Sequence, residues 1–214
     1  MPTLEFFRRL GLLISPGFLS EETCGRLSGL IANAPRSRGE TGRGYKEFVV
    51  DESRRSVDVA RLQKADTAEL RQSLLGLIPE LQSHFGMPLE WCEPPMYLAY
   101  RTGDFFKPHT DNSSHPAVAQ DHIGRRRVSA VLFLNRHASE PRENCFGGGR
   151  LNFYGLLDGK EWKSLSFALD PEPGLLVAYR SNIVHEVTPV TFGERYTIAT
   201  AFHAPLAVPP LSPQ

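Results

Sequence analysis

Two imidazoles and one carboxylate, spaced like a metal-ligand set, are the residues of this sequence best suited to chemistry. His109 and Asp111 are separated by one residue, and alternate residues of a β-strand point to the same face. His185 would complete the set, which suits Fe(II) because it leaves three adjacent coordination positions open for a cosubstrate and O₂. Arg195, ten residues after His185, adds a permanent positive charge. Together these four residues predict an enzyme with a metal centre.

The composition of the 214-residue chain fits one compact unit with a sizeable core. Lysine and arginine together number 24, as do aspartate and glutamate, so nothing favours a nucleic-acid or membrane partner. The cysteines Cys24, Cys92 and Cys145 are odd in number and lack CxxC spacing, which favours a reducing cytoplasm over a disulfide framework. The sequence shows neither a signal-peptide pattern nor an apolar stretch of about 18 residues. We therefore expect a soluble cytoplasmic protein, and no signal points to a particular oligomeric state.

The first 90 residues are predicted to be mainly helical. Ser20 resembles a helix N-cap, because acidic residues and then an apolar stripe at helical spacing follow it. A longer helix is predicted over 58–84, where Gly76 and Pro79 could break or kink it. Between the two helices, residues 36–55 are rich in Gly, Ser and Arg. This segment is either a flank that closes over a site or a solvated surface loop.

Short strands separated by turns dominate the sequence after Met87. Eight strands are predicted, at 96–101, 105–109, 127–135, 150–154, 165–169, 175–179, 183–188 and 195–203. A further strand is predicted at 45–50. Eight strands in succession predict a mainly β fold with flanking α, in which N-terminal helices pack on one sheet of a two-sheet jelly roll. We expect one domain over 1–204, divided into a helical part (1–90) and a jelly-roll core (91–204), with a proline-rich tail at 205–214.

Four segments of the strand-rich part form a specific pattern. They are residues 97–111, 127–135, 147–151 and 185–195, the last of which spans the ten-residue step from histidine to arginine. In this order they resemble the Fe(II)- and 2-oxoglutarate-dependent dioxygenases, particularly the prolyl 4-hydroxylase-like branch. The resemblance covers roughly residues 91–203. The family's fold is a double-stranded β-helix, the same jelly roll that the strand count predicts independently.

The resemblance implies a role for each residue of the proposed centre. His109, Asp111 and His185 would hold Fe(II), which 2-oxoglutarate would chelate through its keto acid end. Arg195 would bind the far carboxylate of 2-oxoglutarate, because its planar fork pairs bidentately with a carboxylate. Thr197, two residues further on the same strand face, would donate to that carboxylate. The implied reaction hydroxylates an aliphatic C–H bond with O₂ and releases succinate and CO₂; ascorbate is an optional further requirement.

Two further residues match family positions, and each has a plainer alternative. Tyr100 matches a tyrosine that hydrogen-bonds the cosubstrate, although a core aromatic would explain it equally well. Arg127 matches a substrate-contacting position, and we expect it on the inward face of its strand, at the mouth of the barrel. An ion pair at that mouth is the alternative for Arg127. Halogenating members of the family replace the metal-binding carboxylate by a small residue, so Asp111 favours hydroxylation.

The substrate is less defined, because two departures weaken a peptidyl-proline assignment. The family's Gly-Gly-Glu turn is Gly148-Gly149-Arg150 here, and Ala201 stands where peptidyl prolyl hydroxylases often carry tryptophan. A prolyl or other amino-acid substrate, free or in a peptide, and a small metabolite all stay open. The long polar segment 136–146 is a candidate lid.

Two other classes of protein are compatible with a jelly roll that carries a metal-ligand set. A cupin-type metalloenzyme with zinc or manganese would use no 2-oxoglutarate and would not require Arg195. A non-catalytic binding module would be favoured by a lost ligand, whereas this sequence retains all three. Four further histidines are not expected to be ligands: His115, His122, His137 and His203.

Overall fold

The computed structural model describes residues 4–43, 47–113, 115, 121–156, 166–169 and 171–206. The helices are α1 (Leu4–Arg9), α2 (Glu21–Asn33), α3 (Ala68–Gly76), α4 (Ile78–Phe85) and α5 (His122–Arg125), with a 3-10 helix at Ala65–Thr67. The strands are β1 (Leu12–Ser15), β2 (Arg36–Arg38), β3 (Thr41–Arg43), β4 (Glu47–Val49), β5 (Arg55–Ser56), β6 (Asp58–Ala60), β7 (Trp91–Cys92), β8 (Met96–Arg101), β9 (Phe105–His109), β10 (Arg126–Phe133), β11 (Arg136–His137), β12 (Cys145–Gly148), β13 (Leu151–Tyr154), β14 (Ser166–Ala168), β15 (Leu176–Arg180), β16 (His185–Val187), β17 (Val190–Phe192) and β18 (Glu194–His203).

Two antiparallel sheets form the body of the fold. The larger has eight strands in the order β1-β15-β10-β18-β8-β6-β2, with β7 paired to β18. The smaller has five strands in the order β14-β13-β16-β9-β5. The strands β11, β12 and β17 form a small third sheet, and β3 pairs with β4 in a two-stranded one.

Side-chain alternation along the larger sheet builds two apolar layers. On β8, Leu98 and Tyr100 pack in a core shared with Phe153 and Val187 of the smaller sheet. The alternate residues of the same strand pack on the other face, in a core that includes Leu27 of α2 and residues of α3 and α4. A period of two along each strand therefore separates the inter-sheet layer from the layer under the helices. This confirms the predicted two-sheet jelly roll with helices on one sheet.

All eight predicted strands of the core are present, with ends within two residues of the expected positions. Residue 165, at the start of one of them, lies outside the described part of the chain, as do residues 207–214 of the predicted tail. The candidate lid, 136–146, contains β11 and the start of β12. No helix in the described ranges is both long and apolar enough to cross a bilayer.

The predicted helix over 58–84 is wrong in its first part. Residues Asp58–Ala60 form β6, which pairs with β8, and the helices α3 and α4 begin later. Asp58 is buried and bonded to Arg38 at 2.9 Å and Arg101 at 2.6 Å. Strand pairing and the ion pairs made by the buried Asp58 carboxylate outweigh the helical spacing of the apolar residues. The second part agrees with the prediction, because one helix ends at Gly76 and the next begins at Ile78, just before Pro79.

The front of the chain also supplies strands, which the prediction of a helical N-terminal part missed. The edge strand β2 extends the larger sheet, and β5 joins the smaller sheet beside β9. The described residues of segment 36–55 therefore supply the strands β2, β3 and β4 and the start of β5. The strand predicted at 45–50 corresponds to β4, while residues 45 and 46 lie outside the described part.

Helix α2 offers a test of the layer under the helices. The side chain of Ser20 accepts a hydrogen bond from the Thr23 backbone N–H at 3.2 Å and so caps the helix as predicted. Leu27 is fully buried against the larger sheet. We predict that Leu27→Ala lowers the free energy of unfolding by about 2–5 kcal/mol, because it leaves a cavity in this layer. Urea denaturation measures the loss. Glu22→Ala, on the exposed face, should stay within about 0.5 kcal/mol of wild type; equal stabilities of the two variants would contradict this packing.

Candidate metal centre

The smaller sheet brings the predicted metal-ligand set together. His109 ends β9 and pairs directly with His185, which begins β16. The strand stops at His109, so Asp111 is placed by a turn rather than by the strand, its backbone N–H donating to the Ser181 carbonyl at 2.9 Å. One possible ligand atom from each of the three side chains lies within 4.8 Å of the others. The distances are 3.6 Å from His109 Nε2 to Asp111 Oδ1 and 3.5 Å from His185 Nε2 to Asp111 Oδ2.

Backbone carbonyls fix which nitrogen of each imidazole faces the centre. His109 Nδ1 lies 2.8 Å from the Lys107 carbonyl, and His185 Nδ1 lies 3.0 Å from the Ile183 carbonyl. A carbonyl only accepts, so each Nδ1 carries the proton and donates. The lone pair is then on Nε2 in both rings, directed towards Asp111. This arrangement of an outer hydrogen bond and an inner lone pair is typical of histidines that bind metals.

Burial sets the charge states that metal binding requires. Burial lowers the pKa of His185 to about 4, although the Asp111 carboxylate opposes this shift. Burial also raises the pKa of Asp111, but the imidazoles of His185 and His109 outweigh it and hold the pKa below its usual range. At neutral pH the site therefore presents a neutral His185 imidazole and an ionised carboxylate, the forms that bind a divalent cation. The donor set fits Fe(II).

Tyr179 is a residue of this centre that the sequence reasoning missed. Its hydroxyl lies 3.1 Å from Asp111 Oδ2 and 3.0 Å from His185 Nε2. Burial and the Asp111 charge raise the pKa of Tyr179 well above its ordinary value, so the phenol keeps its proton. The sequence signal that could have identified Tyr179 is the two-residue alternation along β15. Val177 and Tyr179 face the core between the sheets, and the residues that alternate with them face the helical layer.

Arg195 lies deeper in the same cavity and is 1% exposed. Its Nη1 donates to the Thr197 hydroxyl at 3.1 Å, and its guanidinium carbon lies 4.9 Å from the Tyr100 ring centroid and 5.2 Å from that of Phe133. Within the described residues, its Nε and Nη2 are buried without a hydrogen-bond partner. Burial lowers the pKa of Arg195 to about 10, so the side chain is still a cation at neutral pH. A buried cation with unused donors fits an anionic ligand such as a carboxylate.

One cavity joins these groups. It is lined by the three candidate ligands, by Arg195 and Thr197, and by apolar side chains of both sheets, among them Leu98, Leu151, Val187 and Ala199. A wider groove opens beside it and shares His109, Asp111 and Phe106 with the cavity. The groove is also lined by Thr41, Gly42 and Phe48 of the β3–β4 pair. The candidate lid 136–146 contributes to neither space; several of its residues line a separate surface groove.

The predicted position of Arg127 at the barrel mouth is wrong. The pairing of β10 with β18 shifts between Arg126 and Val128, so one extra residue is accommodated there as a bulge. Ser129 and Val131 line the cavity, as the alternation of the strand predicts. Because of the bulge, Arg126 rather than Arg127 also lines it. Arg127 is 2% exposed and donates to the Gly124 carbonyl at 2.9 Å.

Arg126 is held beside the candidate ligands by a buried charge network. Its guanidinium pairs with both oxygens of Glu93, each at 2.7 Å, and its Nη1 donates to the Asp111 carbonyl at 3.0 Å. His203 Nε2 lies 2.6 Å from Glu93, so this histidine belongs to the network, in agreement with its exclusion as a ligand. Among the described residues, the ligand cluster contains no histidine other than His109 and His185.

A family model described as the 2OG-Fe(II) oxygenase superfamily matches residues 95–203, about half of the chain. The protein belongs to this superfamily. Membership confirms the family resemblance and agrees with the predicted requirement for Fe(II), 2-oxoglutarate and O₂. The matched range contains the three candidate ligands together with Tyr100, Arg195 and Thr197.

The curated relatives of this chain include bacterial proteins named PKHD-type hydroxylases. One from Shewanella oneidensis is 36% identical over 109 residues, which is 51% of this chain and 42% of the relative. Another, from Rhizorhabdus wittichii, is 28% identical over 187 residues, which is 86% of this chain and 74% of the relative. The chain spans about half the length of the first curated relatives that it matches, 42% and 55%.

Solved structures share the fold at low sequence identity. A Pseudomonas putida prolyl-4-hydroxylase superposes with a TM-score of 0.66 at 22% identity, covering 94% of this chain and 96% of that one. A Trichoplax adhaerens prolyl hydroxylase, solved with a hypoxia inducible factor peptide fragment, superposes with a TM-score of 0.71 at 20% identity, covering 94% of this chain and 86% of that one. These similarities confirm the predicted double-stranded β-helix.

Gly149 offers a test of how the third sheet holds the Arg195 side chain. Its φ is 54°, and an added Cβ would lie 2.9 Å from Arg195 Cδ and 3.0 Å from Val190 Cγ2. We predict that Gly149→Ala destabilises the fold by more than the roughly 1–2 kcal/mol of the left-handed conformation alone, because it also displaces Arg195. Gly86→Ala is the matched control, since Gly86 has a φ of 64° with no neighbour within 4 Å. Chemical denaturation of both variants gives the steric part as their difference, and a difference of zero would show that Arg195 is not packed against this glycine.

Proposed function

We propose that this protein is an Fe(II)- and 2-oxoglutarate-dependent hydroxylase of aliphatic C–H bonds. The observation that carries the proposal is the content of one buried cavity. Two imidazoles and a carboxylate converge at one part of it, and a buried arginine lines another, its Nε and Nη2 without a hydrogen-bond partner among the described residues. A metal-chelating acid with a second carboxylate would satisfy both groups at once. A zinc or manganese enzyme without such a cosubstrate would leave the buried charge of Arg195 unpaired.

Each of these side chains has a separate role in the proposed reaction. His109, Asp111 and His185 would hold Fe(II), and Arg195 with the Thr197 hydroxyl would bind the far carboxylate of 2-oxoglutarate. When bound, iron and 2-oxoglutarate together supply the activation of O₂ for attack on a C–H bond, with succinate and CO₂ as coproducts. Tyr100 packs its ring on the Arg195 guanidinium, and we propose that its hydroxyl turns to the cosubstrate.

Apolar side chains line most of the cavity. Leu98, Leu151 and Val187 from the two sheets are buried and belong to this lining. An apolar lining of low dielectric constant strengthens the interaction between Arg195 and a bound carboxylate. Exclusion of water by such a lining would also protect a reactive centre from side reactions. The sheets therefore provide both the position and the environment of the chemistry.

We propose that the substrate approaches through the wide groove beside the metal centre. The groove shares His109, Asp111 and Phe106 with the cavity, so a C–H bond held there would lie next to the metal. Arg126 takes over the substrate-facing position that the sequence assigned to Arg127, because the bulge in β10 directs it into both spaces. The solved structure from Pseudomonas putida is named a prolyl-4-hydroxylase, which favours a prolyl or other amino-acid side chain, and an open groove accommodates a peptidyl substrate as well as a small one.

We further propose that residues 1–204 act as a single cytoplasmic oxygenase domain. The strands β2, β5 and β6 of the front segment lie within the two main sheets, which supports a single unit. Cys24, Cys92 and Cys145 are all unpaired, as suits a reducing compartment.

The decisive experiment is succinate formation from 2-oxoglutarate. Protein loaded with Fe(II) under anaerobic conditions is exposed to O₂, with and without candidate amino-acid and peptide substrates. Slow succinate release without substrate and faster release with one of them is the expected result. Absence of succinate under all conditions, with metal bound, would favour the cupin-type or non-catalytic alternatives.

The metal ligands give a direct prediction. His109→Ala, Asp111→Ala and His185→Ala should each abolish succinate formation, because two remaining ligands hold Fe(II) weakly in a cavity open to the groove. The fold should persist, with unchanged circular dichroism. His84→Ala, at the end of α4, is a control that should keep wild-type activity. Full activity of Asp111→Ala would show that the assignment of the ligands is wrong.

The buried arginine gives a second prediction. Arg195→Met should weaken 2-oxoglutarate binding by about 2–5 kcal/mol, because the carboxylate would lose a buried charged partner. Titration of the iron-loaded protein with 2-oxoglutarate, followed by succinate release, measures this change. Arg150→Met is the matched control, since Arg150 does not line the cavity. If Arg150→Met weakened binding and Arg195→Met did not, the carboxylate site would lie outside the cavity.

A further inference from the structure

Tyr179 contacts two of the three candidate ligands from the opposite sheet. It lies on β15 of the larger sheet, where it pairs with Leu12 of β1 and Ser129 of β10. His185 belongs to the smaller sheet, and Asp111 follows the β9 strand of that sheet. The Tyr179 hydroxyl therefore bridges the two sheets at the metal centre, 3.1 Å from Asp111 Oδ2 and 3.0 Å from His185 Nε2.

The phenol ring is held firmly enough to position this hydroxyl. Tyr179 is 1% exposed, and its ring packs edge-on against Phe153 with centroids 4.9 Å apart. The His185 ring lies 4.8 Å away at a steep angle. With the backbone fixed between two neighbouring strands, the hydroxyl has little freedom to leave the centre.

The hydroxyl has one proton and two acceptors in reach. Because His185 Nδ1 donates to the Ile183 carbonyl, His185 Nε2 is an acceptor, as is Asp111 Oδ2. A metal ion bound to Nε2 would remove that lone pair from competition. The Tyr179 proton would then be directed to Oδ2 alone.

We propose that Tyr179 is a positioning residue that holds Asp111 as a one-oxygen ligand, an inference that rests on the proposed iron centre. By donating to Oδ2 it leaves Oδ1, which lies 3.6 Å from His109 Nε2, as the oxygen available to the metal. A carboxylate free to bind through both oxygens would occupy one of the three positions needed by the cosubstrate and O₂. Tyr179 thus keeps that position open.

The test uses Co(II) as a probe of the full-length protein and needs no turnover. Tyr179→Phe removes the hydroxyl and keeps the ring that packs on Phe153. We expect Co(II) affinity, measured by competition with a chelating dye, to fall about 10-fold or more. We also expect the visible d–d spectrum of bound Co(II) to change, because Asp111 would rotate and bind through both oxygens. The unfolding temperature of the metal-free variant verifies that the fold is retained.

Tyr154→Phe is the matched control for loss of a hydrogen-bonded phenol hydroxyl in the same structure. Tyr154 donates to Glu186 on the strand that carries His185, but it does not line the metal cavity. This variant should bind Co(II) with wild-type affinity and spectrum. Unchanged affinity and spectrum in Tyr179→Phe would overturn the inference, as would equal changes in both variants. If wild type bound Co(II) no better than Asp111→Ala, the proposed metal centre would fail, and the inference with it.

Discussion

The direct pairing of His109 with His185 across two antiparallel strands is the constraint on which the site depends. Residues separated by 76 positions in sequence become neighbours only through this register. A shift of one residue would turn one imidazole to the other face of the sheet. The backbone carbonyls of Lys107 and Ile183, each two residues before its histidine, then orient both rings. Sheet register and side-chain orientation are thus fixed by the same short stretches of backbone.

The buried charges of Asp111 and Arg195, at the two ends of the cavity, have different surroundings. At the candidate metal site, the Asp111 carboxylate accepts a hydrogen bond from the Tyr179 hydroxyl and would share a bound cation with His109 and His185. At the other end, Arg195 has aromatic rings and one hydroxyl beside it, and burial lowers its pKa. Aromatic faces stabilise a buried cation by only about 2 kcal/mol, less than burying an unpaired charge costs. Burying the Arg195 cation without an anion therefore costs free energy, and a carboxylate of a dianionic cosubstrate would offset that cost.

The strands and the ligand set of this protein were predictable because each depends on local pattern. A short apolar run defines a strand such as β8, and the His-x-Asp pair with a later histidine and arginine is visible in the sequence. Three features depend on long-range structure instead. The bulge that exchanges Arg126 for Arg127 arises in the pairing with β18, and β6 forms only because β8 offers it an edge. Tyr179 contacts Asp111 from 68 residues away, so no spacing rule identifies it.

The front of the chain, expected to be mainly a helical cover, is part of the wall of the metal centre. Arg55 of β5 pairs with Phe106 of β9, and its guanidinium carbon lies 4.9 Å from the Phe106 ring centroid. Phe106 in turn stacks on His109, with centroids 3.5 Å apart and an angle of 17° between the planes. The ring of a candidate ligand is therefore held from outside by a stack that begins in the front segment. Arg55 and Phe106 therefore connect the front segment to His109, so residues before the matched family range contribute to the wall of the candidate metal centre.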